Sequence, residues 1–351
     1  MDNKDKAIAL LKQLISTQSF SGEEDKTAQL LENFLKENGV NFNIENNNVW
    51  AKNKYFDKSK PTILLNSHHD TVEPNSAYTI DPFVPTEKDG KIQGLGSNDA
   101  GASVVSLLTT FVHFYNHQNL KYNLVIAITA EEESSGPDGL NSLLKSLPKI
   151  DFAIVGEPTQ MHLAIAEKGL LVLDVVAKGK PGHAAHTNTI NPIYLAMEGI
   201  EWFKTFKFPK SSEFLGDVKL SVTQINAGTQ HNVVPAECSF VVDVRVNDKY
   251  TNLEVLEIIK QNVKNTVTAR STNLNSSSID KNHDFVQAGI ALGRNIYGSP
   301  TLSDQSVLTC QSVKLGPGDS TRSHQADEYI MISEIEEGID LYIKMLKKLI
   351  I

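Results

Sequence analysis

"LLNSHHDTVEP" (residues 64–74) joins an apolar, strand-like run to two histidines, an aspartate and a proline. Its reading decides the fold, because a buried strand ending in titratable groups delivers them where neighbouring strands also end. On an extended backbone side chains two apart share a face, so His68 and Asp70 point together and His69 points away. A ligating imidazole needs its second ring nitrogen held by an acceptor, and Asp70 can supply that behind His68. The bland alternative is a polar strand end at a surface loop, and on this stretch alone it has the better claim.

Working outward, "PTILLNS" (61–67), "YNLVIAIT" (122–129) and "DFAIVGE" (151–157) are continuous apolar runs bounded by polar turns. That pattern fits strands buried on both faces of a sheet. Helices are expected at 5–17, 24–38 and 99–117, so strand and helix alternate as in an α/β sheet. Beyond about residue 165 the strands at 169–179, 217–228 and 236–246 alternate polar and apolar, with helices at 190–206 and 252–266. A Ser/Asn-rich linker at 270–282 leads to a helix near 285–294, a polar loop to about 325 and a last helix at 333–349. The expected architecture is an α/β domain with a central mixed sheet (1–165 and 283–351) carrying an inserted, smaller α+β domain (166–282).

The 351 residues are too many for one ordinary domain and suit two. A formal charge of −9 argues against non-specific binding to nucleic acid or anionic membrane. No apolar run approaches a membrane span, and "MDNKDKAIALLKQLIS" (1–16) has no signal-peptide pattern. Cys238 and Cys310 form no framework, so a reduced, cytoplasmic chain is expected.

Four further stretches carry chemistry. "GLGSNDAGA" (94–102) lacks the third glycine of a dinucleotide loop, and Asp99 would repel a phosphate. Taken alone, Asp99 reads as an N-cap of the helix that follows; as function, a glycine-loosened turn presents a carboxylate able to bridge two metals. "TAEEESSG" (129–136) puts three glutamates directly after a buried strand, costly unless neutralised. It reads equally as a solvated acidic loop. "VGEPT" (155–159) ends another strand in Glu157, and "GPGDSTRSHQADEY" (316–329) is an irregular loop with Arg322 and His324. Each has an ordinary structural reading, but their coincidence points to one crevice where His and carboxylate ligands surround a pair of divalent ions. N/O ligation without thiolate suits zinc, with cobalt or manganese as alternatives.

These stretches, together with "GKPGHAAH" (179–186) and "HNVVPAE" with "DVR" (231–245), resemble the dinuclear zinc amidohydrolases. That family includes acetylornithine deacetylase, succinyl-diaminopimelate desuccinylase, aminoacylase and related exopeptidases. The resemblance implies a zinc-binding domain with an inserted lid or dimerisation domain, and a homodimer through it. It implies that His68, Asp99, Glu133, Glu157 and His324 are metal ligands, with Asp99 bridging, and that Asp70 orients His68. Glu132 would be the general base and His183 the lid histidine that polarises the scissile carbonyl. Asn232, Arg245 and Arg322 fall where the family holds substrate carboxylate or the tetrahedral intermediate. Glu131 stands where the family usually has Asp, and Asn98 with "AGA" departs from the usual surroundings of the bridging aspartate. His69 and His186 are competing histidines in the same motifs.

The expected reaction is hydrolysis of the amide of an N-acyl amino acid by metal-activated water, N-acetylornithine of arginine biosynthesis first. A dipeptidase or carboxypeptidase of the same family is the runner-up. A catalytically silent metal-binding relative is the alternative from another class.

Overall fold

The computed structural model describes residues 3–351. They form two compact units, the first comprising the chain to Ile165, Ser278–Tyr297 and Ser303–Ile351, the second Ala166–Ser277 and Gly298–Leu302.

The first unit is built on a mixed sheet whose centre is four parallel strands: Asn123–Thr129, Thr62–His68, Phe152–Val155 and Gln311–Lys314. The first three are buried along their whole length, which is why they read as unbroken apolar runs. Helix Ala102–Tyr115 packs against Thr62–His68, Asn123–Thr129 and the C-terminal helix Ile332–Ile350, leaving almost none of its own surface exposed. On the sheet, Leu64, Val125, Ala127 and Ala153 pack instead with Trp50, Leu140, Leu143 and Leu147. Register is parallel throughout this centre, with His68 beside Thr129 and Asn66 beside Val155. The chain therefore leaves every one of these strands at the same edge of the sheet.

Two expectations for this unit need correction. The polar loop expected up to about 325 contains the central strand Gln311–Lys314, hidden in sequence because Val313 is its only apolar residue and it buries Ser312 and Lys314 on either side. Asp99 is not an N-cap: the helix begins at Ala102, its N-cap is Gly101, and no side chain caps it. Asp99 sits in the wide turn Ser97–Gly101 with φ −118° and ψ 99°, outside helical geometry.

The second unit is an antiparallel sheet in the order Lys219–Ala227, Glu237–Val246, Gly169–Lys178, Thr266–Ala269. Burial alternates residue by residue along both central strands, so one face makes the core. Helices Pro192–Thr205 and Asn252–Asn262 cover that face with Ala196, Phe203, Val255 and Ile259. Their starts are set locally: Asn191 caps a helix beginning at Pro192, and Thr251 forms a capping box with Glu254. The second helix stops four residues before the expected 266, at Asn262, and the β-branched stretch after it becomes the edge strand Thr266–Ala269.

Phe240 is 1% exposed on the packed face. Phe240→Ala is expected to destabilise the second unit by about 3–5 kcal/mol in urea unfolding, against about 1 kcal/mol or less for Val241→Ala on the other face. Equal effects at the two positions would show that the alternation does not define the core.

Candidate active site

The shared sheet edge gathers the titratable groups of the first unit. His68 ends its strand with 1% exposure. Its Nδ1 lies 3.1 Å from the Asp70 carbonyl oxygen and 3.3 Å from Asp70 Oδ1. Its Nε2 faces Asp99 Oδ1 at 3.3 Å, Glu157 Oε1 at 3.6 Å and Glu132 Oε2 at 3.9 Å. Asp70 is wholly buried and does more than back the imidazole: it accepts from Ser21 Oγ (2.7 Å) and from the backbone N–H groups of Glu132 and Glu133 (both 3.1 Å). One carboxylate thus orients His68 and aims the glutamate loop.

That loop separates its three glutamates. Glu131 adopts φ 55° and turns away, its Oε2 accepting from the Asp138 N–H at 2.9 Å. Glu132 faces His68, and Glu133 faces His324, whose Nε2 lies 3.0 Å from Glu133 Oε2. The same His324 nitrogen is 3.8 Å from Asp99 Oδ2. Asp99 therefore presents one oxygen to His68 and the other to His324, as a carboxylate shared between two ions must. Donor atoms of His68, Asp99 and Glu133, and of His68, Glu132 and Glu157, lie close enough to hold an ion.

Charge and burial conflict here. Burial drives Glu132 well above the usual carboxylate range and Glu157 up to about 8, with neighbouring acids adding to both. For His68, burial favours the neutral ring, but Asp70 and Asp99 overcome it and raise the imidazole well above its ordinary value. The hydrogen bond to Glu133 raises His324 to about 9. Asp70 and Asp99 stay low despite burial because His68 pairs with both. A cluster that must take up protons to relieve like-charge repulsion is one that divalent cations relieve better, so these oxygen and nitrogen donors fit such ions.

The other sequence candidates are placed as follows. His69 is buried away from the cluster, its Nε2 donating to the Asn47 carbonyl (3.0 Å) and its Nδ1 paired with the Thr27 hydroxyl (2.8 Å). Arg322 is engaged by Glu334 in a two-bond pair (2.7 and 3.1 Å) and stacks on Tyr329. His183, His186, Asn232 and Arg245 belong to the second unit. There His183 and Asn232 are exposed on adjoining segments, His186 is in ring contact with His183, and Arg245 forks onto Asp243 at 2.9 and 3.0 Å.

Sequence reasoning missed three residues beside the cluster. Asp304 is buried, accepts from Thr129 Oγ1 at 2.7 Å and is raised to about 6, chiefly by burial. Lys314 is 4% exposed on its central strand and sets a positive charge near Glu157. Glu328 is 3% exposed and accepts from the backbone of the Asp99 loop. No local pattern announces them, since their partners lie far away in the chain.

Fold and cluster define a metal-dependent amidohydrolase. The chain belongs to peptidase family M20/M25/M40, whose family model matches residues 64–348. It is 25% identical to succinyl-diaminopimelate desuccinylase 2 of Ruegeria sp., over 97% of this chain and 94% of that protein. With the succinyl-diaminopimelate desuccinylase of Psychromonas ingrahamii it shares 26% identity over 98% of each. Among solved structures it resembles an M20 metallo-carboxypeptidase from Sulfolobus solfataricus (TM-score 0.77, 18% identity, 99% of both chains). A dinuclear metal-binding peptidase from Bacillus subtilis is similar (TM-score 0.73, 17% identity, 99% and 98% covered).

The proton uptake has a sign. Folding raises His324 from 6.5 to about 9 and Glu157 from 4.5 to about 8, so the metal-free native state binds more protons than the unfolded chain in between. Their contribution is complete at low pH and is lost as pH rises through these folded values. The Tm of chelator-treated protein is expected to fall between about pH 6.5 and 9, and zinc or cobalt should remove the fall while releasing protons at pH 7. A metal-free Tm that climbs across this window would contradict the assignment.

Proposed function

We propose that the protein hydrolyses the amide bond of an N-acyl diamino acid, and that two divalent cations, zinc first, are held by His68, Asp99 and Glu157 and by Asp99, Glu133 and His324. The observation that carries the reading is the Asp99 carboxylate divided between His68 and His324. Bound there, the cations would acidify a water molecule and polarise the scissile carbonyl. Glu132 removes the proton from the attacking water, the amide C–N bond breaks, and Glu132 returns the proton to the leaving amine. Its burial among acids favours holding that proton between the two steps. Asp70 keeps His68 in one tautomer and fixes the Glu132 backbone. His183 is the candidate for stabilising the oxyanion, and Asn232 and Arg245 for holding the substrate carboxylate. Arg322 is a candidate on the same footing as Arg245, since each is already engaged by a carboxylate, Glu334 and Asp243 respectively, that the substrate would have to displace.

The substrate reading moves from the sequence expectation. Desuccinylases 25–26% identical over nearly full length favour N-succinyl-diaminopimelate ahead of N-acetylornithine. Two unpaired cysteines, Cys238 and Cys310, fit a cytoplasmic enzyme, and no helix among the described residues is long and apolar enough to cross a membrane.

The test is turnover by cobalt- or zinc-loaded protein on N-succinyl-diaminopimelate, N-acetylornithine, N-succinylornithine and several dipeptides. The expected result is preference for an acylated diamino acid, abolished by chelation. Glu132→Gln should keep its metal content and lose about 10²–10⁴ in kcat. Cleavage of dipeptides alone would replace this reading with an exopeptidase, and unimpaired Glu132→Gln would remove the assigned base.

The second unit also exposes Tyr194 (67%) and Met197 (58%) on one helix and Ile225 (53%) on its edge strand, which favours a homodimer through this unit. Sedimentation should give a dimer that Tyr194→Asp with Met197→Asp weakens at least tenfold. A monomeric wild type would end that reading.

A further inference from the structure

The loop carrying Asp99 and the loop carrying His324 are sewn together by two side chains with no part in the chemistry above. Glu328 Oε2 accepts the Gly96 N–H at 2.9 Å, and its Oε1 accepts those of Asn98 (2.7 Å) and Asp99 (2.8 Å). Three converging backbone N–H groups form an anion-binding nest, and leaving them unpaired in a buried site is costly. Here the chain fills the nest with its own carboxylate. Gly96 permits this: it has φ +73°, and a Cβ there would meet Thr71 Cγ2 at 2.6 Å.

Asn98 closes the same seam from the other side. Its Oδ1 accepts the Asp319 N–H at 3.0 Å, while its Nδ2 donates to the Asp319 carbonyl at 3.1 Å and to Ser323 Oγ at 3.4 Å. The amide thus pairs with Asp319 much as a neighbouring strand would. Gly318 makes room for it, since a Cβ at that φ of +89° would lie 2.3 Å from Asn98 Oδ1. Asp319 and Ser323 stand five and one residues before His324, and Glu328 four after it. Both approaches to His324 are therefore tied to the residues flanking Asp99.

We propose that Glu328 and Asn98 are positioning residues that hold the Asp99 carboxylate and His324 at a common spacing, and so govern affinity for the ion shared by Asp99, Glu133 and His324 more than for the ion at His68 and Glu157. The inference rests on the two-cation reading of the site. Of the two residues, Asn98 is one at which this sequence departs from its family's pattern.

Glu328→Gln keeps the shape but turns an N–H donor toward a backbone N–H. Asn98→Ala removes all three of its bonds and leaves Glu328 in place. Cobalt is titrated calorimetrically into metal-free wild type, Glu328→Gln and Asn98→Ala, with the thermal melting of each metal-free protein recorded alongside. Wild type should bind two cobalt ions. In the variants the weaker step should lose about 10–100-fold in affinity while the stronger stays within about threefold. If the variants bind both ions like wild type and only the metal-free Tm falls, the residues are structural and the inference is overturned. If both steps weaken equally, the selectivity for one ion is overturned. If Glu328→Gln does not fold, Asn98→Ala decides by the same criteria. A wild type that binds no cobalt removes the two-cation reading itself, and the inference with it.

Discussion

Five carboxylates, those of Asp70, Asp99, Glu132, Glu133 and Glu157, meet two imidazoles at one end of a buried sheet, and this excess of acid in poor contact with water governs the first unit. Each group would rather be hydrated or neutral. The molecule answers in different ways at different residues. Asp70 is satisfied by Ser21, by backbone N–H groups and by His68, so it stays ionised although wholly buried. Glu132 and Glu157 face His68 as well, yet burial among neighbouring acids raises both. That contrast between fixed and yielding carboxylates is what a site built for cations and for a proton-carrying base requires.

Parallel strands make the accumulation reachable. Three of them end in His68, in the run after Thr129 and in the turn before Glu157, and the fourth leads into the glycine-rich loop before His324. Because register is shared, each exit lies within a few ångströms of the next. Apolar packing on both faces of the sheet supplies the stability against which the polar edge is held. The loops are less self-sufficient. Positive-φ glycines at 96 and 318 let two loops approach more closely than any side chain would allow, and Glu328 and Asn98 occupy the space so created.

Where interactions are local, the sequence was readable. The apolar runs, the alternating strands at 169–179 and 236–246, and the acid or histidine after each buried strand reflect spacing along one segment. Where partners are distant, it was not. The strand Gln311–Lys314 looks like loop because it carries a single apolar residue, Val313, between a buried Ser312 and a buried Lys314. Asp99 looks like a cap because aspartate before a helix commonly is one, and only the wide turn at Ser97–Gly101 shows its carboxylate aimed elsewhere. Arg322 looks available to an anion until Glu334, twelve residues on, engages it.

By itself, the sequence determined the chemistry on offer and the scaffold that offers it: carboxylates and histidines at the exits of doubly buried strands, no thiolate among them, and motifs in the order of a known family. Periodicity and composition suffice for that, because they act along the chain. Only the tertiary structure decided which of three adjacent glutamates turns away, what holds His69, and that one carboxylate looks both ways. The last of these joins loops more than 200 residues apart, tied by hydrogen bonds such as Asn98 to Asp319 (separation 221), and no local pattern encodes the geometry of a partner so far away.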